Sequence, residues 1–149
     1  MNKRFLVIIL AFFLICCGRK SPLSPPKHRL PLRVILPKVK KEKGIWVIEG
    51  EIAGKIKEYK ISDIIGCIVH YSRFSLKNPP CESCPIYLGE EKQIKGNVIK
   101  GKRFFLRLTW LKKEGIYYLR IRLVGKNNSI GPPSELIKIK VGECSFKDR

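Results

Sequence analysis

At 149 residues with 44% hydrophobic side chains, the chain has material for one modest core and excludes two full domains. Its 31 Lys and Arg against 12 Asp and Glu give a formal charge of +19, which points to an anionic partner or surface. No Ser, Cys or His grouping has the spacing of a catalytic set, and Gly54, Gly66, Gly89, Gly96 and Gly101 are spaced like turns, without a phosphate loop.

The first predicted element is a secretory signal: Lys3 and Arg4, an apolar run from Phe5 to Ile15, then Leu14-Ile15-Cys16-Cys17-Gly18. Eleven apolar residues span roughly 16 Å as a helix, about half of a hydrocarbon core, too short for a comfortable membrane span. The run ends at a cysteine instead of a small-residue cleavage site, and in this it resembles a bacterial lipobox. That resemblance implies residues 1–16 as signal peptide, cleavage after Cys16, and a lipid, palmitate included, on Cys17. Cys16 departs from the pattern, which places Gly, Ala or Ser there. The chain beyond the cut holds 29 basic residues (31 less Lys3 and Arg4) against 12 acidic ones. For an exported chain this excess suits anionic lipid headgroups, at about 1 kcal/mol per Lys or Arg near the surface, and no nucleic-acid partner is expected.

Residues 17–31 follow as a linker carrying Pro22, Pro25, Pro26 and Pro31 with Arg19, Lys20, Lys27 and Arg29. Repeated prolines fix φ and remove backbone donors, so an extended, semi-rigid spacer is expected. The opening Cys17-Gly18-Arg19-Lys20-Ser21-Pro22-Leu23-Ser24-Pro25 is similar to the mature start of LptM-type lipoproteins, partners of the lipopolysaccharide translocon, and departs from it at Ser21. Over these nine residues the resemblance implies an alternative role as an accessory factor in translocon assembly.

From Leu32 to Cys144 short strands are predicted. Gly44-Ile45-Trp46-Val47-Ile48 and Gly66-Cys67-Ile68-Val69-His70-Tyr71 are bulky and β-branched, while Phe104–Leu108, Tyr117–Leu123 and Leu136–Val141 alternate with period two. With Gly, Pro and Asn between them, such runs predict an all-β sandwich. In Tyr117-x-Leu119-x-Ile121-x-Leu123 one face is apolar while Tyr118, Arg120 and Arg122 occupy the other, as for a strand between core and water.

Leu111, six residues before Tyr117 across the turn Lys112-Lys113-Glu114-Gly115, resembles the fibronectin type III pattern in which a Leu closes strand E and a Tyr opening strand F makes a tyrosine corner. Val124–Glu135 is similar to that family's F to G loop with its Pro-Ser-Glu lead-in to strand G, and Trp46 falls where the family often places a core Trp. The resemblance implies one immunoglobulin-like β-sandwich over 32–144, followed by a tail at 145–149. It departs from the family in lacking the Pro of the usual turn and in a long stretch between strands C and E.

Four cysteines lie beyond Cys17. Cys67 alternates with Val69 and Tyr71 and reads as a buried thiol. Cys81, Cys84 and Cys144 are disulfide candidates in an exported domain. Strands C and G run parallel in the implied fold, which brings Cys144 near the 76–85 loop, so a local Cys81–Cys84 bridge and a bond from Cys144 to either cysteine both stay open. The spacing Cys81-Glu82-Ser83-Cys84 also raises a second alternative, a thiol oxidoreductase, although no strand-to-helix setting is evident. A zinc site would need Cys144 or His70 as further ligands, and neither a metal nor a cofactor is expected. Trp46, Phe104 and Tyr117 read as core; Trp110, Tyr118 and Phe105 would form a partner patch with Arg107 and Arg120 if they share a surface.

The expectation is thus a non-enzymatic lipoprotein of the bacterial envelope, anchored through Cys17 and the basic linker and facing the periplasm, with a fibronectin type III-like module for an envelope protein or polysaccharide. Gly18 lacks the Asp that retains enteric lipoproteins at the inner membrane, which leans the location toward the outer membrane.

Overall fold

The computed structural model describes residues 30–54, 60–81, 83–101 and 103–142. The stretch expected to be a signal peptide, Cys17, the expected linker up to residue 29, Cys144 and the expected tail lie outside the described residues. Among the described residues eight strands form in chain order: β1 (Leu32–Glu42), β2 (Ile45–Gly54), β3 (Ile64–Phe74), β4 (Glu90–Lys95), β5 (Ile99–Lys100), β6 (Arg103–Leu108), β7 (Gly115–Gly125) and β8 (Ile137–Val141). Two three-residue 3-10 turns, Ile61–Asp63 and Lys126–Asn128, are the helical elements among the described residues.

The strands divide into two antiparallel four-stranded sheets, β1-β2-β6-β5 and β4-β3-β7-β8. Lettered in chain order with β4 as C′, this is A-B-E-D against C′-C-F-G, the strand order of an immunoglobulin-like sandwich of fibronectin type III kind. The core lies between the sheets, where Leu32, Ile48, Val69, Phe104, Leu119 and Ile121 are fully buried. Burying a side chain of this size contributes about 1.5–3 kcal/mol each, so the alternating apolar faces supply the cohesion of the domain.

Local chemistry sets the registers. Lys43 (φ 47°) and Gly44 (φ 81°) form a two-residue connection with both central residues left-handed, the turn that matches the twist of the β1–β2 hairpin. A register shift between Ile35 and Lys38 accommodates Leu36 (φ 48°) and Pro37, whose missing N–H is tolerable on an edge strand. At Gly66 a Cβ would collide with the Ile94 carbonyl, so only glycine lets β4 close on β3 there.

The five strands expected from the sequence are present, while β1, β4 and β5 were not singled out by it. β4 reads Glu-Glu-Lys-Gln-Ile-Lys and is exposed at five of its six positions, as an edge strand can be. The core also starts earlier than the expected boundary at Leu32. Leu30, assigned to the spacer, is 0% exposed and donates its N–H to the Ile130 carbonyl at 3.3 Å. The long stretch between strands C and E becomes the 75–89 loop, β4 and β5.

A groove on the outer face of the second sheet

The floor is set by period two. Cys67, Val69 and Tyr71 point from β3 into the core, which turns Ile68, His70 and Ser72 outward; Tyr117, Leu119, Ile121 and Leu123 do the same on β7, turning Tyr118, Arg120 and Arg122 outward. The register then places Ile68 opposite Arg122, His70 opposite Arg120 and Ser72 opposite Tyr118. On its other side His70 faces Glu91 of β4, with Nδ1 3.7 Å from the carboxylate.

Two walls rise from this floor. The 75–89 loop folds back over the sheet because the Ser72 hydroxyl donates to the Tyr87 carbonyl and accepts from the Gly89 N–H, both at 2.9 Å. Ile86, Tyr87 and Leu88 form that wall, and Tyr87 stands 85% exposed. Opposite, Ile130 is held beside β7 by its bridge to Val124 and by the Gly131 N–H donating to the Leu123 carbonyl at 2.9 Å, with Pro133 beyond it. Between the walls lies a groove of about 490 Å³. A tyrosine this exposed at the lip of a concavity, beside Arg, has the composition of interface cores.

Ser134 secures the second wall. It is 5% exposed, its N–H donates to the Ile121 carbonyl at 2.8 Å, and its hydroxyl accepts from the Ile121 N–H at 3.0 Å, so it bonds to β7 as a strand residue would. At the opposite pole Tyr117, 4% exposed, donates its hydroxyl to the Lys113 carbonyl at 2.9 Å, over the buried Leu111. That bond pins the β6–β7 connection. Burial raises the pKa of the Tyr117 hydroxyl, the Arg73 guanidinium opposing the shift.

Cys81 and Cys84 are bonded to each other, Cα to Cα 5.3 Å. Neither is then open to Cys144, which removes the alternative pairing. The bridge sits in an irregular, exposed loop with no helix following it, so no helix dipole acts on either sulfur. Cys67 is free and fully buried, and burial pushes its thiol up from 9.0 to about 12. Among the described residues no group of three His, Cys, Asp or Glu could hold a metal ion, and no helix is long and apolar enough to cross a membrane.

The patch expected from Trp110, Tyr118, Phe105, Arg107 and Arg120 does not assemble. Phe105 and Arg107 lie on the outer face of the first sheet, where Lys100 and Arg107 flank the Phe105 ring at 5.7 and 5.6 Å. Tyr118 and Arg120 lie on the far side of the molecule, and Tyr118 is only 7% exposed because Phe74 meets it edge-on at 5.7 Å and Lys138 covers it. Trp110 packs against the core from the turn after β6, under Lys92 at 5.1 Å. Sequence reasoning had Arg120 and Arg122 facing outward but missed Ile86, Tyr87, Leu88 and Ile130. The signal available for them was the apolar Ile-Tyr-Leu run directly after a Cys-x-x-Cys-Pro loop.

The chain is similar in backbone course to the solution structure of the third fibronectin III domain of the human KIAA0343 protein, with 15% identity, 89% of this chain and 99% of that one covered, and a TM-score of 0.49. It is also similar to a myokine structure, with 12% identity, 75% of this chain and 98% of that one covered, and a TM-score of 0.46. No protein-family model and no curated protein matches the sequence.

Proposed function

We propose that this chain is a lipid-anchored, non-enzymatic protein of the bacterial cell envelope that holds a fibronectin type III-like binding module away from a membrane. A sandwich of this kind fits a protein-interaction module, and its outer groove supplies a concave site with a basic floor and apolar walls. The observation that carries the anchor is the apolar run ending in Leu14-Ile15-Cys16-Cys17-Gly18 ahead of a Pro-rich stretch, which stops where Leu30 enters the core. Twelve residues from Gly18 to Arg29 would reach about 40 Å if a Pro-rich spacer extends at ~3.1 Å per residue, enough to clear headgroups and present the groove.

The test is expression in a bacterial host with labelled palmitate, comparing the unaltered chain with Cys17→Ser and with globomycin treatment. The unaltered chain should take up label and sediment with membranes, and Cys17→Ser should lose both. Equal sedimentation of the two would sink the anchor.

A further inference from the structure

We infer that the groove on the outer face of the β4-β3-β7-β8 sheet binds an extended acidic peptide segment, with Arg120 and Arg122 holding carboxylates at alternate residues and Tyr87 covering apolar side chains beside them. This deepens the reading of the chain as a binding module and rests on it.

The chemistry of the floor selects the charge. Arg120 and Arg122 are two residues apart on one face of β7, about 7 Å along the strand, which is also the spacing of alternate side chains in an extended peptide. Guanidinium groups bind carboxylates through paired, charge-assisted hydrogen bonds. The salt bridges among the described residues are Lys40–Glu49, Lys126–Asp63 and the His70–Glu91 contact, so neither arginine is committed to one. Among the described residues Glu91 is the one acidic residue lining the groove, and His70 stands against it.

The walls select the kind of acid. Ile86, Tyr87, Leu88 and Ile130 offer apolar contact beside the two guanidinium groups. A sugar polymer or a nucleic acid supplies charge without apolar side chains to fill that space, whereas a peptide supplies both. A second copy of this chain is disfavoured by its formal charge of +19, and the chain's own 17–29 segment brings basic residues and no acid. The occupant that complements both floor and walls is a segment of another protein.

Fluorescence anisotropy on the full chain in detergent tests this. The probe is a labelled nonapeptide with two glutamates at alternate positions, flanked by leucine and phenylalanine. It should bind, and Arg120→Glu or Arg122→Glu should each weaken it at least about tenfold, the scale of a charge-assisted pair. Tyr87→Ala should weaken it several-fold, while Glu91→Gln should strengthen it. Arg103→Glu and Arg107→Glu, on the other sheet, should leave it within about twofold, and urea midpoints should show that all variants fold. The inference is overturned if a glutamine-substituted probe or an all-glutamate nonapeptide binds as well, or if the Arg103 and Arg107 variants lose as much. Heparin fragments or phosphatidylglycerol vesicles binding at Arg120 and Arg122 while the nonapeptide does not would also overturn it. These outcomes are independent of the anchor, because loss of membrane retention by Cys17→Ser reads the lipid alone.

Discussion

Raising the pH above about 9 should destabilise the sandwich from its centre, through Cys67. The thiol is 0% exposed between Leu123 and Ile94, its partners on the two flanking strands, and burial pushes it up from 9.0 to about 12. In the unfolded chain the same thiol ionises near its ordinary value, so the folded-state pKa lies above the unfolded one. The stability this group contributes is therefore complete below pH 9 and is lost as the pH climbs toward 12. The loss runs at about 1.4 kcal/mol per pH unit, or roughly 2 kcal/mol by pH 10.5, against a total of about 5–15 kcal/mol for a domain of this size. The assay is a pair of urea titrations, at about pH 8 and pH 10.5, on the unaltered chain and on Cys67→Ala. Lysines and tyrosines titrate in both chains and cancel, and so does any cost of the shortened side chain. What is read is the stability gap between the two, which should move by about 2 kcal/mol in favour of Cys67→Ala at the higher pH. A gap constant to within about 0.5 kcal/mol would refute the reasoning, because it would mean that water reaches the sulfur.

Two further outcomes follow from the site's supports. Tyr117→Phe keeps the buried ring and removes the bond to the Lys113 carbonyl, whose residue is exposed, so urea unfolding should report a loss of about 1 kcal/mol, or a melting point lower by about 4 °C. A loss above about 3 kcal/mol would show that the ring itself had shifted. Replacing Cys81 and Cys84 together by Ser opens a ring worth about 2 kcal/mol in chain entropy, felt locally in a solvent-facing loop. Hydrogen exchange should then speed up over 86–89 while amides of β7 stay protected, and unchanged exchange at Gly89 would mean that the Ser72 bonds alone hold the wall.

The strands legible in the sequence are those with one face in the core. Tyr117–Leu123 shows its alternation because every second residue is buried, and Phe104–Leu108 does so for the same reason. β4 could not be read that way: it pairs with β3 alone, at the edge of its sheet, and a charged edge strand leaves no apolar stripe to find. β1 is masked by Pro37 and its register shift, which breaks the period midway. Tyr118 was misread as exposed because alternation reports which sheet face a residue takes, not what covers that face, and Phe74 comes from a strand more than forty positions earlier.

The groove was less legible because it is a product of register. Its five contributing stretches, around residues 68–70, 86–88, 91, 120–122 and 130–133, are individually ordinary: a strand with one histidine, a short apolar run, a charged edge strand, two arginines and a loop with two prolines. Nor does the total charge point to it, since basic side chains lie on both outer faces. The two faces differ in shape, and shape decides how much each charge is worth. Arg107 is exposed and shares its face with Lys100, so a carboxylate there meets water and salt, with a screening length of about 8 Å at physiological ionic strength. Arg122 is half-buried between apolar walls, where the effective dielectric is lower and the same pair is stronger. Added salt should therefore strip weak polyanion binding from the first sheet before it releases an acidic peptide from the groove, so a chain with a charge of +19 can be adhesive to polyanions in general and selective at one place.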